Sequence, residues 1–146
     1  MGLYECASSK SVWRGYYYYE EKGHILSCDK IGEYIYKGEV QGTASDPYKV
    51  IIDIRHPRKS TCNCPFADGR RVVCKHMMAL YFTVYPSEAD RLLKEQEEYE
   101  LEEELREQEK YEHIKEYVYS LSKAELRIEL IDALSELEAE ERYDRW

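Results

Sequence analysis

Between Cys62 and His76 the chain reads CNCPFADGRRVVCKH, which places three cysteines and one histidine within a single short stretch. Thiolate sulfur and imidazole nitrogen are the ligands that a tetrahedral structural zinc takes. Cys62 and Cys64 reach one ion if the chain turns between them, and Pro65 favours such a non-helical path. Cys74 and His76 are two apart, a spacing that in the body of a helix points to nearly opposite sides. They share an ion only if Cys74 stands at the start of a helix and His76 in its first turn. That placement also turns helix N-terminal amides toward the sulfurs, which helps keep them deprotonated. Asp68-Gly69 supplies the tight turn of the connecting loop. The expected ligand set is Cys62, Cys64, Cys74 and His76 around one structural Zn2+. The competing reading is an unmetallated or redox-active thiol cluster. Four protein donors leave no open position for a water, and neither H-E-x-x-H nor H-x-E…P-C-x-x-C occurs. No catalysis and no small-molecule substrate are therefore expected.

Other residues invite a functional reading and carry a plainer one. Arg55, Arg58 and Lys59 precede the cluster, and Arg70, Arg71 and Lys75 lie inside it. These six either contact phosphate or a partner, or offset an anionic metal site and an acidic C-terminal half. Cys6 and Cys28 have no companions at ligand spacing, and His24, His56 and His113 are isolated. The tyrosines 16–19 could stack on bases, but consecutive residues of a strand alternate faces, which favours half core and half surface.

The elements that must position the cluster are legible from periodicity. HILSCDK, EYIYKGEVQ and YKVIIDIR are rich in Ile, Val and Tyr, with turn residues at Gly32-Glu33 and from Gly42 to Pro47. They predict a small antiparallel meander. Trp13–Tyr19 is expected to be a further strand or an arm over the sheet. KHMMALYFTVY predicts a helix of about three turns that stops before Pro86. Ser87 with Asp90 resembles a capping box opening a long, thinly striped helix to about Tyr119. Ser122-Lys-Ala-Glu125 is a fuller capping box, followed by Leu126, Leu130, Leu134 and Leu137 with Ile128 and Ile131. This last helix is amphipathic and calls for a partner surface.

C-x-C, nine residues, then C-x-H is the signature of the SWIM zinc finger, and the neighbouring residues fit it. YKVIIDI resembles the family's strand, CNCPF its C-x-C-P step and CKHMMALYF its C-K-H helix start. The resemblance covers roughly Gly23–Tyr85 and is to the bacterial type. It implies an α+β fold: the small antiparallel meander, a zinc-bound ββα-like finger and a C-terminal helical extension. The expected division is a β-rich arm with the finger over 1–87, its core about 48–85, and an acidic helical extension over 88–146. The family implies roles in DNA binding or in assemblies that act on DNA, where bacterial members accompany helicase-type proteins, and also protein binding.

Charge divides the chain the same way. The net −9 splits into +3 over residues 1–87 and −12 over 88–146. Mean hydropathy is −0.73. No apolar run reaches a membrane span and no basic-then-apolar leader opens the chain. The odd count of five cysteines favours a reducing compartment. The expectation is a cytoplasmic protein without membrane contact. It is expected to act as an adaptor that engages a protein through the C-terminal helices, within a DNA-associated assembly. The alternative is a finger that binds DNA or RNA directly through the basic residues, restrained by the acidic tail.

Overall fold

The computed structural model describes residues 2–143 and divides into two units, between Glu95 and Gln96. The first unit holds a four-stranded antiparallel sheet in the order β1-β2-β3-β4: Ile25–Gly32, Ile35–Val40, Tyr48–Asp53 and Thr61–Cys62. Three of these are the expected meander, and β4 is the two-residue strand that carries Cys62. Tyr36 pairs with Ile52, Gly38 with Val50, and Val50 in turn with Cys62. Val40, Val50 and Ile52 are fully buried on the face that meets helix α3, Lys75–Val84. A Cβ on Gly38 would come within 2.6 Å of Leu80 Cδ1, so the sheet takes α3 closely at this point.

The segment expected as a strand or arm is a helix. After a short α1 at Leu3–Cys6, α2 runs from Ser9 to Glu20 and includes Trp13–Tyr19. The β-forming preference of Trp and Tyr loses here to capping and packing. Ser8 caps α2 by accepting from the Ser11 N–H at 3.2 Å. Helical spacing puts Tyr16 and Tyr19 on one face, both against the buried ring of Phe82, while Tyr17 stays exposed. Tyr4 and Tyr81 also meet Phe82, so four tyrosine rings surround one phenylalanine.

α3 ends at Tyr85, and α4 runs from Pro86 to Ser120. Pro86 occupies the first helical position, where its missing N–H costs nothing. Ser87 therefore lies inside the first turn, and the expected Ser87–Asp90 capping box gives way to a proline start. Only Ala89 and Leu92 of α4 are buried. In the second unit the other capping box forms as expected: the Ser122 N–H donates to Glu125 at 2.8 Å, and the Glu125 N–H to Ser122 Oγ at 3.3 Å. It opens α5, Lys123–Tyr143, which has no buried residue. Among the described residues no helix is long and apolar enough to cross a membrane.

The crossing of α2 on α3 depends on one glycine. A Cβ at Gly15 would lie 2.4 Å from Met78 Cβ and 2.8 Å from the Lys75 carbonyl oxygen, neither of which can swing aside. Replacing glycine by alanine in a helix ordinarily gains up to about 1 kcal/mol. Overpacking against rigid atoms costs about 1–3 kcal/mol, and at these separations the cost wins. Gly15→Ala should lower stability by about 2 kcal/mol, read from thermal or urea unfolding of the full chain. Unchanged or raised stability would show that α2 stands off α3.

Candidate metal centre

Each of the four cysteine and histidine donors reaches the centre from a different local device. Cys62 is delivered by β4, paired with Val50. The β3–β4 connection is pinned by Asp53, whose Oδ1 accepts from the Arg55 and His56 N–H groups at 3.1 and 2.8 Å. The Asp53 N–H in turn donates to Ser60 Oγ. Asn63, between the first two cysteines, accepts from the Lys49 N–H at 2.8 Å and holds the turn to the sheet edge. Cys64 is buried, and its carbonyl accepts from the Ala67 and Asp68 N–H groups. The loop then reverses at Asp68-Gly69, closed by the Arg70 N–H to Ala67 C=O bond, with Gly69 at φ +68°. That positive φ is the conformation for which the turn needs glycine.

The last two donors solve the two-apart problem as the spacing required. Cys74 is the N-cap of α3 in extended conformation, φ −90° and ψ 169°, and Lys75 is the first helical residue. His76 then turns back toward the cysteines. Its Nδ1 lies 3.8 Å from Cys62 Sγ and 3.9 Å from Cys74 Sγ. All four donor atoms fall within 4.8 Å of one another, and all four residues are buried. The imidazole is held by the Tyr48 ring at 4.5 Å and edge-on by Tyr18 at 5.5 Å. Its Nε2 is buried without a partner.

The donor set fits a zinc ion. Zn–S near 2.3 Å and Zn–N near 2.0 Å in a tetrahedron give S···N edges of about 3.6 Å, a few tenths below the separations seen. The thiols are already unequal. Cys74 is pushed down to about 4, chiefly by the hydrogen bond from the Cys62 thiol, with help from His76 and the Met77 N–H. Cys62, which gives that bond and is buried, is pushed up, and burial pushes Cys64 up as well. The cluster thus holds one thiolate in advance, and a cation must displace the protons of the other two.

Among the described residues no other group of three or more such donors gathers. Cys28 is half-buried on β1 and Cys6 exposed on α1, neither in the cluster. His24 hydrogen-bonds Gln41 O at 2.6 Å and Glu21 at 2.9 Å. The six basic residues are not gathered as the cysteines are. The Arg55 guanidinium lies 3.8 Å over the Tyr34 ring, and Arg70 donates to the Phe66 carbonyl and covers its ring. Arg58 and Lys59 sit on a 3-10 turn, Pro57–Lys59. Lys75 donates to Tyr18 Oη at 2.8 Å and faces a cleft together with Lys10 and Arg14. Sequence reasoning passed over those last two. Their spacing of four residues marks one face only once the segment is read as a helix.

At pH 7, zinc entering the folded finger should release about two protons, from Cys62 and Cys64, because Cys74 is ionised beforehand. Calorimetric zinc titrations in buffers of differing ionisation enthalpy measure this number. Release of about three would mean that the cysteines are equivalent before metal binds.

No curated protein and no solved structure matches the chain. The family model described as the SWIM zinc finger matches residues 48–85, from the first residue of β3 to the residue that closes α3. Residues 48–85 thus match the SWIM zinc finger, and the four donors converge inside the matched segment.

Proposed function

We propose that the chain is a non-enzymatic interaction module in which Cys62, Cys64, Cys74 and His76 hold one structural Zn2+. The observation that carries this reading is the burial of four donors within 4.8 Å of one another. A shell closed by four protein groups has no position for a reacting water. The ion ties together β4, the turn after it and the start of α3, contributing folding free energy on the order of 10 kcal/mol. The 61–74 segment contributes few large apolar side chains to the core, and Phe66 is half exposed, so that contribution matters here.

The partner in this reading is a protein, docked through the C-terminal helices. Ile128, Leu130, Ile131, Leu134 and Leu137 of α5 are each more than half exposed, on a helix that buries nothing. A helix with so many exposed apolar side chains suits an apolar groove, and the surrounding acidic residues favour a groove with a basic rim. The resemblance to bacterial SWIM proteins supports a setting in a DNA-associated assembly in the cytoplasm. Direct nucleic-acid contact through the six basic residues has less behind it, since Arg55 and Arg70 are engaged on aromatic rings.

Metal analysis should find about one zinc per native chain, near none in Cys74→Ser, and an unchanged amount in Cys28→Ser. Stoichiometric zinc in Cys74→Ser would place the metal elsewhere. For docking, Ile131→Glu with Leu134→Glu in the full chain should weaken partner capture by about tenfold or more while zinc content stays constant. Equal capture by the native and double-variant chains would remove α5 from the interface.

A further inference from the structure

The second unit holds two helical arms of matching length that stand open. Residues 106–120 end α4, residues 123–137 begin α5, and Leu121 with Ser122 forms the corner between them. The Tyr117 hydroxyl donates to Glu129 at 3.2 Å, and Leu121 and Leu126 are half-buried, which marks the inner side of each arm. On or beside those inner sides lie Tyr111, Ile114 and Val118 of α4, and Leu130, Leu134 and Leu137 of α5. They recur every three or four residues, the spacing of a helix-bundle seam. All six stay exposed, from 40% at Val118 to 64% at Tyr111. A link this short is able to join a closed antiparallel helix pair, which would cover such side chains. The arms are therefore splayed, and each carries half of a seam.

The distribution of charge within the unit selects what completes the seam. Residues 105–134 carry five Lys and Arg against seven Asp and Glu, so the apolar span is close to neutral. The acidic excess lies beyond it on both sides. Residues 97–104 hold six Glu and no cation, and residues 136–141 hold four Glu and no cation. Lys115, Lys123 and Arg127 lie near the corner, and Lys115 also reaches Glu112 at 3.5 Å. Two copies related by a two-fold axis, with their corners at opposite ends, place each corner between the acidic runs of the other. With both corners at one end, four acidic runs would come together and repel. The chain thus supplies its own basic rim. The six side chains and Tyr117 each expose roughly 100 Å², and their sum of roughly 700 Å² approaches the 800 Å² or so that each partner gives to a stable interface.

We propose that the arms of two copies of this chain close into an antiparallel four-helix bundle. Ile114, Val118, Leu130 and Leu134 fill its core, and the corner cations of each copy meet the acidic runs of the other. This inference rests on the reading that the C-terminal helices dock a protein, and it names that protein as a second copy. Each assembly then carries two zinc fingers, so a target of the finger is met by two linked sites.

The test is sedimentation equilibrium of the zinc-loaded full chain over a concentration series of about 1–100 µM. The native chain should show twice its 17.4 kDa mass. Ile114→Glu with Leu130→Glu should sediment as a single chain. Both positions lie outside the unit that holds the metal centre, so zinc content and circular dichroism should stay as in the native chain. Lys123→Glu with Arg127→Glu should weaken dimerisation about tenfold or more. Lys10→Glu with Arg14→Glu changes net charge equally at positions outside the arms, and should stay within about twofold of native. The proposal falls if the native chain keeps single-chain mass at every concentration, or if the Ile114→Glu/Leu130→Glu chain remains a dimer. It also falls if Lys123→Glu/Arg127→Glu dimerises as tightly as the Lys10→Glu/Arg14→Glu control. A native monomer that still captures another protein, and loses it in Ile131→Glu/Leu134→Glu, would overturn the second copy and keep the docking reading. A native monomer in which that variant changes nothing would overturn both.

Discussion

A helix must begin between two ligands that are only two residues apart, and the first unit is arranged around that constraint. Cys74 stays extended, Lys75 turns into the helix, and His76 swings back to face the sulfurs. Had α3 begun one turn earlier, the same two side chains would diverge. The helix start must therefore be fixed in space as well as in sequence. Sheet contacts through Leu80 and the aromatic cluster at Phe82 fix the helix body, while Cys62 on β4 fixes the opposite side of the centre. The Met77 N–H in that first turn adds to the Cys62 hydrogen bond that chiefly holds Cys74 as a thiolate.

The core that bears this load is mostly aliphatic, and tyrosines line its margin. The chain has fifteen tyrosines and two phenylalanines, and four of the tyrosines meet Phe82. A tyrosine ring fills volume as phenylalanine does while its hydroxyl stays near water. That suits a thin layer of helices on a small sheet, where few positions lie deep enough to be wholly dry. Burial shifts the phenols accordingly, and Tyr81 is pushed up to about 12. Tyr18 connects this aromatic layer to the site, touching His76, His24 and Lys75.

How far the sequence was legible depended on whether a signal was local. The ligand spacing, the Asp68-Gly69 turn, the three long strands and the Ser122–Glu125 box are set by residues a few positions apart, and each was readable. Trp13–Tyr19 was not, because its residues favour strands in isolation and become helical through contact with α3, far away in sequence. That one miss hid the pairing of Lys10 with Arg14 on a helix face, and with it the cleft they share with Lys75. Ser87 misled for a similar reason: a capping motif was present, but Pro86 opened the helix first.

The contact between Gly15 and Met78 joins a residue outside the matched finger segment to one inside it. The recognisable motif is therefore smaller than the unit that packs around it. A finger of this sequence grafted elsewhere without α2 would leave Met78 and Phe82 bare on one side. Any larger residue at position 15 would meet the backbone of α3 at Lys75 as well as Met78 Cβ, so α2 would have to move off α3. The two helices are thus held at one fixed separation by residues sixty-three positions apart in the chain.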